Sequence, residues 1–263
     1  MNKIYIVIPC AGSGSRAGGD KAKQYQEVRG LPMIMHTLAA VMDVPSVEHC
    51  LMVVAPHDEE MKGLLDNPPL HFKRSERVSV EYIGGQTRAQ SVLAGLRALR
   101  QRGAGPEDWV LVHDAARCLV KAQWIEQLID ACGADDVGGI LAWPLSDTLK
   151  QSQQELQNET QGHMQKGSTT PSIDRTLDRA HKWLAQTPQM FKLGPLTQAI
   201  ESSSDLMTDE SSAMEAQGLH PKLVAASALN IKVTYPEDFL LADAVLAARE
   251  PHSASTLHQM KTL

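Results

Sequence analysis

The chain has 263 residues, of which 43% are hydrophobic and 21% charged, and its formal net charge at pH 7 is −6. This composition is typical of a protein that buries a sizeable core, and the acidic balance argues against broad electrostatic attraction to nucleic acid or anionic lipid. No apolar run approaches the ~18 residues of a membrane helix, and the first residues show no signal-cleavage pattern. We therefore expect a cytoplasmic protein with neither nucleic-acid nor membrane partners.

Short apolar runs alternate with amphipathic helices along most of the chain. Strands are predicted at residues 4–9, 51–56, 78–83, 109–117 (where the run ends in polar residues) and 138–145. Helices are predicted within residues 31–43 (Pro32 in the first turn), Ala89 to Leu99 and Trp124 to Ile129. This alternation is typical of an α/β protein with a mostly parallel twisted sheet and helices on both faces. In such sheets ligands bind beyond the carboxyl ends of the strands.

One polar segment interrupts this pattern. Residues 150–175 are rich in Gln, Ser, Thr and Asn and have almost no aliphatic periodicity, which indicates an inserted, projecting arm at about 146–178. Apolar patterning resumes at 180–191 and at 229–248, where Thr234, Pro236 and Glu237 resemble a capping box that opens a last helix. We expect one domain over 1–249 with this arm inserted, followed by a flexible polar tail over 250–263.

The four cysteines lie far apart, with no C-x-x-C pair and no nearby histidine pair. This spacing favours neither a zinc site nor a disulfide framework. We expect buried free thiols at Cys10, Cys50, Cys118 and Cys132.

A glycine-rich loop, "AGSGSRAGGDKAKQY", follows the first strand. Gly12, Gly14 and Ala17 have the spacing G-x-G-x-x-A of a dinucleotide-binding turn, but no helical stripe begins there and no acidic residue ends a second strand ~20 residues later. A P-loop motif is also absent. What the sequence offers is a loop with three cations, Arg16, Lys21 and Lys23, which could surround phosphate oxygens. The alternative is a plain turn with hydrated surface cations.

Two further motifs follow predicted strands. Asp114 in "VHDAAR" could coordinate Mg²⁺ between phosphates or accept a hydrogen bond from a substrate hydroxyl; alternatively, it caps the next helix and pairs with Arg117. In "GGQTRAQS", two glycines, Arg88 and Ser91 could lie against a base or ribose, whereas a glycine turn with Thr87 as helix cap explains the motif equally well.

Taken together, the segments resemble the 2-C-methyl-D-erythritol 4-phosphate cytidylyltransferases of the non-mevalonate isoprenoid pathway. The matching segments are "AGSGSR", "KQY", "GGQTRAQSVLAGL", "VLVHDAAR", "GGILAWPLSDTLK", "DRAHKWLAQTPQMF", "TDESSAME" and "NIKVTYPEDFLLA". The resemblance implies a Rossmann-like nucleotidyltransferase fold with a β-arm, usually a homodimer in which the arm helps complete the neighbour's substrate pocket. It also implies transfer of a cytidylyl group from CTP to 2-C-methyl-D-erythritol 4-phosphate, with Mg²⁺, releasing pyrophosphate.

The resemblance also assigns residue roles. The catalytic positions are Arg16 and Lys23, which stabilise the transition state at the CTP α-phosphate, and Arg179 and Lys232, which position the attacking phosphate. The CTP-binding positions are Ala11, Gly12, Gly14, Gly85, Gln86, Ser91 and Ala115. The substrate-binding positions are Asp114, Arg117, Thr148, Thr187 and Thr208, with Asp114 also the expected metal ligand and Thr148 and Arg179 reaching across the dimer. Departures from the family pattern occur at Cys10, Ala22, Cys118 and Tyr235.

The implied reaction needs no general base, because the second pKa of a phosphate monoester is ~6 and the nucleophile is already dianionic. Three other functions fit parts of the sequence. The nearest is a cytidylyltransferase for another polyol phosphate, such as ribitol phosphate. The others are an NAD(P)-dependent oxidoreductase, which the missing acidic residue disfavours, and a nucleotide-binding module without activity.

Overall fold

The computed structural model describes residues 2–12, 21–66, 76–153, 170–203 and 207–249. Its strands are β1 (Ile4–Pro9), β2 (Glu27–Val28), β3 (Leu31–Pro32), β4 (His49–Val53), β5 (Val78–Glu81), β6 (Trp109–Val112), β7 (Gly138–Pro144), β8 (Leu149–Ser152), β9 (Ile173–Leu177), β10 (Trp183–Lys192) and β11 (Lys222–Ala225). Its helices are α1 (Met33–Met42), α2 (Glu59–Asp66), α3 (Arg88–Gln101), α4 (Ala122–Cys132), α5 (Leu193–Ser202), α6 (Glu210–Glu215) and α7 (Pro236–Arg249). A 3-10 turn spans Lys23–Tyr25.

Seven strands form the central sheet, in the order β11-β7-β10-β6-β1-β4-β5. Neighbouring strands are parallel except at β10, which runs antiparallel to both β6 and β7. The mostly parallel α/β sheet predicted from the sequence is therefore confirmed. Because β1, β4, β5 and β6 run in one direction, the loops that follow them open at the same edge of the sheet.

The side chains of β1 alternate between two cores. Ile6 and Ile8 pack in a core with residues of α1 and α4, whereas Tyr5 and Val7 pack in a second core with residues of α3 and α5. Since both faces of the strand are covered, its sequence is a continuous apolar run rather than an alternating one. Each such side chain contributes about 1.5–3 kcal/mol on burial, and this burial holds the loop edge of the sheet in place.

Several element bounds differ from the sequence prediction. β4 begins two residues before the predicted run and ends before Pro56, which has no N–H to donate to a neighbouring strand. Pro32 lies at the N-cap of α1 rather than in its first turn. The sequence analysis did not predict α2, α5, α6 or β11.

The capping box predicted at Thr234 and Glu237 is wrong by one residue. Helix α7 starts at Pro236, so Asp238 is the third helical residue, and its Oδ2 accepts hydrogen bonds from the N–H groups of Thr234 at 2.7 Å and Tyr235 at 2.9 Å. The Thr234 hydroxyl instead donates to the carbonyl of Lys232 at 3.0 Å. These contacts fix the segment that carries Lys232.

A separate antiparallel pair, β8 and β9, lies where the arm is predicted. Residues 154–169 of the insertion and the tail over 250–263 lie outside the described residues. All four cysteines are buried free thiols, as expected. Among the described residues, no helix is long and apolar enough to cross a membrane.

Candidate active site

Two cavities meet at the carboxyl end of β6. The loop cavity, of about 280 Å³, lies between the residues after β1, the 3-10 turn and the start of α3. The threonine cavity, of about 290 Å³, lies between the end of β6, the middle of β10 and the residues before α6. Both are lined by Arg88, Asp114 and Lys232. Molecules bound in the two cavities would therefore share the same charged groups.

Most of the residues predicted from the sequence line these cavities. Besides Asp114 and Lys232, the loop cavity is lined by Ala11, Gly12, Lys23, Gly85, Gln86, Ser91 and Ala115. The threonine cavity is lined by Arg117, Thr187 and Thr208. The predicted residues Gly14 and Arg16 lie outside the described part of the chain.

Asp114 is the electrostatic centre of the site. Its Oδ1 accepts a hydrogen bond from Arg88 Nε at 2.8 Å, and its Oδ2 lies 2.8 Å from Lys232 Nζ. Burial by itself would raise the pKa of this carboxyl, but the charges of Arg88 and Lys232 hold the pKa well below its ordinary value. The side chain is therefore an anion that organises two cations where the cavities join.

Thr187 and His113 hold the backbone beneath Asp114. The N–H of Asp114 donates to Thr187 Oγ1 at 3.0 Å, and Thr187 Oγ1 lies 3.0 Å from His113 Nδ1. His113 Nε2 lies 3.4 Å from the carbonyl of Arg117, which can only accept, so the neutral ring that suits both contacts carries its proton on Nε2 and accepts at Nδ1 from the Thr187 hydroxyl. Thr187 was predicted to bind substrate; its hydroxyl is engaged inside the protein and positions Asp114.

Arg117 lines the threonine cavity and is anchored by backbone carbonyls. Its guanidinium donates to the carbonyls of Asn230 at 2.6 Å and Ala185 at 3.2 Å. Its Nε is buried without a hydrogen-bond partner among the described residues and lies 4.0 Å from Asp114 Oδ2. The alternative in which Asp114 caps the next helix is wrong, since α4 begins eight residues later, at Ala122.

The loop before α3 is shaped by close backbone contacts. A Cβ on Gly84 would lie 2.3 Å from Ala11 Cβ, so glycine is required where the two loops touch. Thr87 caps α3 in a capping box with Gln90, which confirms the helix-cap interpretation of this motif. Ser91 Oγ accepts a bond from the N–H of Gly85 at 3.1 Å, so this hydroxyl shapes the cavity wall.

Lys23 is also a lining residue of the loop cavity. It begins the 3-10 turn, and the next residue, Gln24, donates from Nε2 to the carbonyl of Cys10 at 2.8 Å. Tyr25 anchors the end of the turn by donating to Asp58 Oδ2 at 2.6 Å. These two bonds tie the turn to β1 and to the residues before α2, and so fix the position of the Lys23 backbone.

Two predicted residues lie apart from both cavities. Thr148 and Arg179 are exposed at the base of the β8–β9 pair, where Arg179 donates to the carbonyl of Ser146. Neither lines the loop cavity or the threonine cavity of its own chain. The expectation that they serve the neighbouring subunit stays a prediction.

The described residues do not fit a metal ion held by the protein. Both oxygens of the Asp114 carboxylate already face cations, Arg88 and Lys232. In the described ranges, no group of three or more His, Cys, Asp or Glu side chains could hold a metal ion. Asp114 was predicted as the Mg²⁺ ligand, and its contacts do not support that role.

Sequence reasoning missed a second buried carboxylate in this site. Glu210 is 0% exposed and accepts two bonds from the Arg88 guanidinium, at 2.6 and 2.9 Å. Its only sequence signal was its place in the "TDESSAME" segment of the family resemblance. The sequence places Arg88 at a strand-to-helix junction, but its partner Glu210 could not be predicted from local pattern.

Comparison with known proteins gives consistent matches over nearly the whole chain. The family model described as IspD, 2-C-methyl-D-erythritol 4-phosphate cytidylyltransferase, matches residues 4–248. The 2-C-methyl-D-erythritol 4-phosphate cytidylyltransferase of Chromobacterium violaceum is 42% identical over 250 residues, which are 95% of this chain and 100% of that protein. The bifunctional enzyme IspD/IspF of Albidiferax ferrireducens is 52% identical over 247 residues; the match covers 94% of this chain and 54% of that enzyme, so the chain spans about half of its length.

Solved structures agree with these matches. A crystal structure of 4-diphosphocytidyl-2C-methyl-D-erythritol synthase has a TM-score of 0.75 and 33% identity, and the match covers 94% of this chain and 99% of that one. The 2-C-methyl-D-erythritol 4-phosphate cytidylyltransferase of Francisella tularensis has a TM-score of 0.70 and 31% identity, with coverage of 92% and 99%.

Proposed function

Because the chain belongs to the 2-C-methyl-D-erythritol 4-phosphate cytidylyltransferase family, we propose that it transfers the cytidylyl group of CTP to 2-C-methyl-D-erythritol 4-phosphate. The products are 4-diphosphocytidyl-2-C-methyl-D-erythritol and pyrophosphate. The observation that carries this proposal is the junction of two cavities at Arg88, Asp114 and Lys232. Such a junction brings a nucleotide and a second phosphate to the same cations.

The loop cavity is the proposed CTP site. Its walls contain Gly12, Gly85 and Gln86, where the backbone can approach a flat base or a phosphate closely. Lys23 and Lys232 both line this cavity, and both can neutralise charge on the α-phosphate. In this proposal Arg16 adds a third cation from the glycine-rich loop, as the family resemblance implies.

The threonine cavity is the proposed site of the polyol phosphate. Arg117 and Lys232 supply positive charge there, and Thr208 and Asp209 supply polar groups for hydroxyls. A phosphate oxygen of the substrate attacks the α-phosphorus of CTP, and the bond from that phosphorus to the pyrophosphate oxygen breaks. No proton has to be removed, because the attacking phosphate is largely dianionic above its second pKa of ~6. The residues of the site therefore act by positioning and by neutralising charge.

We propose that Mg²⁺ enters as part of the nucleotide substrate, the Mg²⁺ complex of CTP. Mg²⁺ in nucleotide sites commonly takes several ligands from substrate phosphates and water. This fits a site whose central carboxylate is already paired with Arg88 and Lys232.

A homodimer and a cytoplasmic location belong to the same proposal. Ile173, Trp183 and Leu184, at and near the arm, are large exposed apolar side chains, which suits contact with a second copy. Thr148 and Arg179 sit at the base of this arm, and in a dimer they would reach the partner's threonine cavity. The cytoplasm is where CTP is available to the enzyme.

Pyrophosphate release by the purified protein tests the reaction. CTP, ATP, GTP and UTP are each supplied with Mg²⁺ and either methylerythritol phosphate or ribitol phosphate. We expect release with CTP and methylerythritol phosphate only. Release only with ribitol phosphate would assign the chain to a different polyol substrate, and no release with any pair would refute the transferase function.

A further inference from the structure

Four side chains of alternating charge run from the interior to the junction of the two cavities. Glu210 pairs with Arg88 through both carboxylate oxygens, at 2.6 and 2.9 Å. Arg88 Nε donates to Asp114 Oδ1 at 2.8 Å, and Asp114 Oδ2 lies 2.8 Å from Lys232 Nζ. We call these four residues the charged row.

The buried end of the charged row, Glu210, is anchored by α6. Asp209 caps this helix and accepts a hydrogen bond from Gln189 Nε2 of β10 at 2.8 Å. The same Gln189 side chain accepts a bond from the N–H of Ser211 at 2.8 Å. These two bonds fix the first turn of α6 on the central sheet and place the Glu210 carboxylate in the interior, where it is 0% exposed. Its direction is therefore set by the fold.

We infer that Arg88 and Glu210 are positioning residues of the transferase: they act through Asp114 to hold Lys232 at the junction of the two cavities. This inference rests on the proposed function. All three guanidinium nitrogens of Arg88 donate a hydrogen bond, since Nε donates to Asp114 while Nη1 and Nη2 donate to Glu210. With its two terminal nitrogens held by Glu210, Arg88 binds Oδ1 of Asp114 through Nε and leaves Oδ2 to pair with Lys232.

The charges explain why Glu210 matters at a distance from the substrates. Without the Glu210 carboxylate, the Arg88 guanidinium would lose two of its three hydrogen bonds and turn further onto Asp114. Arg88 would then compete with Lys232 for the same carboxylate, and Lys232 would lose its fixed place. Misplacing a positioning group by about 1 Å can cost about 100-fold in rate. A lysine at position 88 would keep the charge but could not make the forked contacts.

The test compares four forms of the full chain in the pyrophosphate assay with CTP and methylerythritol phosphate. The informative variant is the double substitution Arg88→Met with Glu210→Gln, since removing both charges leaves neither partner of this buried pair as an unpaired ion. Arg88→Lys tests geometry at constant charge. The matched control is Arg97→Lys, because Arg97 of the same helix pairs with Glu201 at 2.8 Å on the exposed surface.

We expect the double variant to unfold near the wild-type temperature and to lose about 100-fold in kcat/KM for methylerythritol phosphate. Its KM for CTP should stay within about threefold, and Arg97→Lys should match wild type. Wild-type activity in a folded double variant, or a loss that lies mainly in a raised KM for CTP, would overturn the positioning role. If Arg88→Lys retains full activity, a positive charge at this position is sufficient without the forked hydrogen bonds of arginine, and the inference also fails. An inactive wild-type protein would instead refute the proposed function.

Discussion

The stability of this protein should fall in mildly acidic solution because of one buried histidine. His113 is 0% exposed at the end of β6, where its Nδ1 lies 3.0 Å from the Thr187 hydroxyl. Burial lowers the pKa of this imidazole from 6.5 to about 4, because a positive charge there would be desolvated and would lie near Arg117. The ring is therefore neutral in the folded protein at neutral pH.

The direction of the effect follows from the two states. The unfolded chain binds a proton at His113 near pH 6.5, whereas the folded chain binds it only near pH 4. The contribution to stability is complete above pH 6.5 and is lost as the pH falls toward 4. At ~1.4 kcal/mol per pKa unit, the loss is about 2 kcal/mol between pH 7 and pH 5 and about 3 kcal/mol at pH 4. The pKa of Asp114 is lowered below its ordinary 3.8, so that group affects stability only below about pH 4.

Urea unfolding at pH 7 and pH 5, followed by tryptophan fluorescence, measures this loss. The comparison is between the wild-type chain and His113→Gln, with His57→Gln as a control that removes an exposed histidine. We expect the free energy of unfolding of the wild type and the control to fall by about 2 kcal/mol more than that of His113→Gln. Equal losses in all three proteins would refute the assignment of this acid sensitivity to His113.

Three other substitutions and the pH dependence of kcat/KM test the remaining arguments. Lys23→Ala should lower kcat by about 100-fold, while Lys62→Ala on the exposed face of α2 should leave it unchanged; equal rates would contradict the role of Lys23. Arg179→Ala should raise KM for methylerythritol phosphate and leave CTP binding intact, and an equal loss of CTP binding would contradict the assignment. Gly95→Ala places a Cβ 2.8 Å from Val7 Cγ1 and should destabilise the fold by about 1–3 kcal/mol in thermal unfolding. The value of kcat/KM should rise up to about pH 6 and then level off, following the second ionisation of the substrate phosphate.

The sequence predicted the parts of the fold that depend on local pattern. The fully apolar runs at β1 and β6 identify strands covered on both faces, and the polar residues after them, such as Asp114, identify the functional edge. Glycines and Thr87 before α3 likewise signal a turn and a helix cap. These features are read from a few neighbouring residues, and the structure confirms the covered strands and the helix cap.

The rest depends on contacts between distant segments. Glu210 looks like an ordinary acidic residue in the first turn of a short helix, and only Arg88, 122 residues away, makes its burial possible. The contacts of the Thr187 hydroxyl with Asp114 and His113, more than 70 residues away, could not be predicted from the sequence. The antiparallel direction of β10 is equally invisible in its apolar pattern, because a strand between two others is buried in either direction.

The pairing of Asp114 also decides what kind of catalyst this site can be. A general base must be able to take a proton near the working pH, but Arg88 and Lys232 hold the pKa of this carboxyl well below that range despite its burial. The neighbouring imidazole, His113, contacts Thr187 inside the protein and is 0% exposed. Neither group can accept a proton from a substrate, and a phosphate nucleophile needs no such acceptor. The value of the buried carboxylates lies instead in holding cations at fixed places, where two anionic substrates must be brought together.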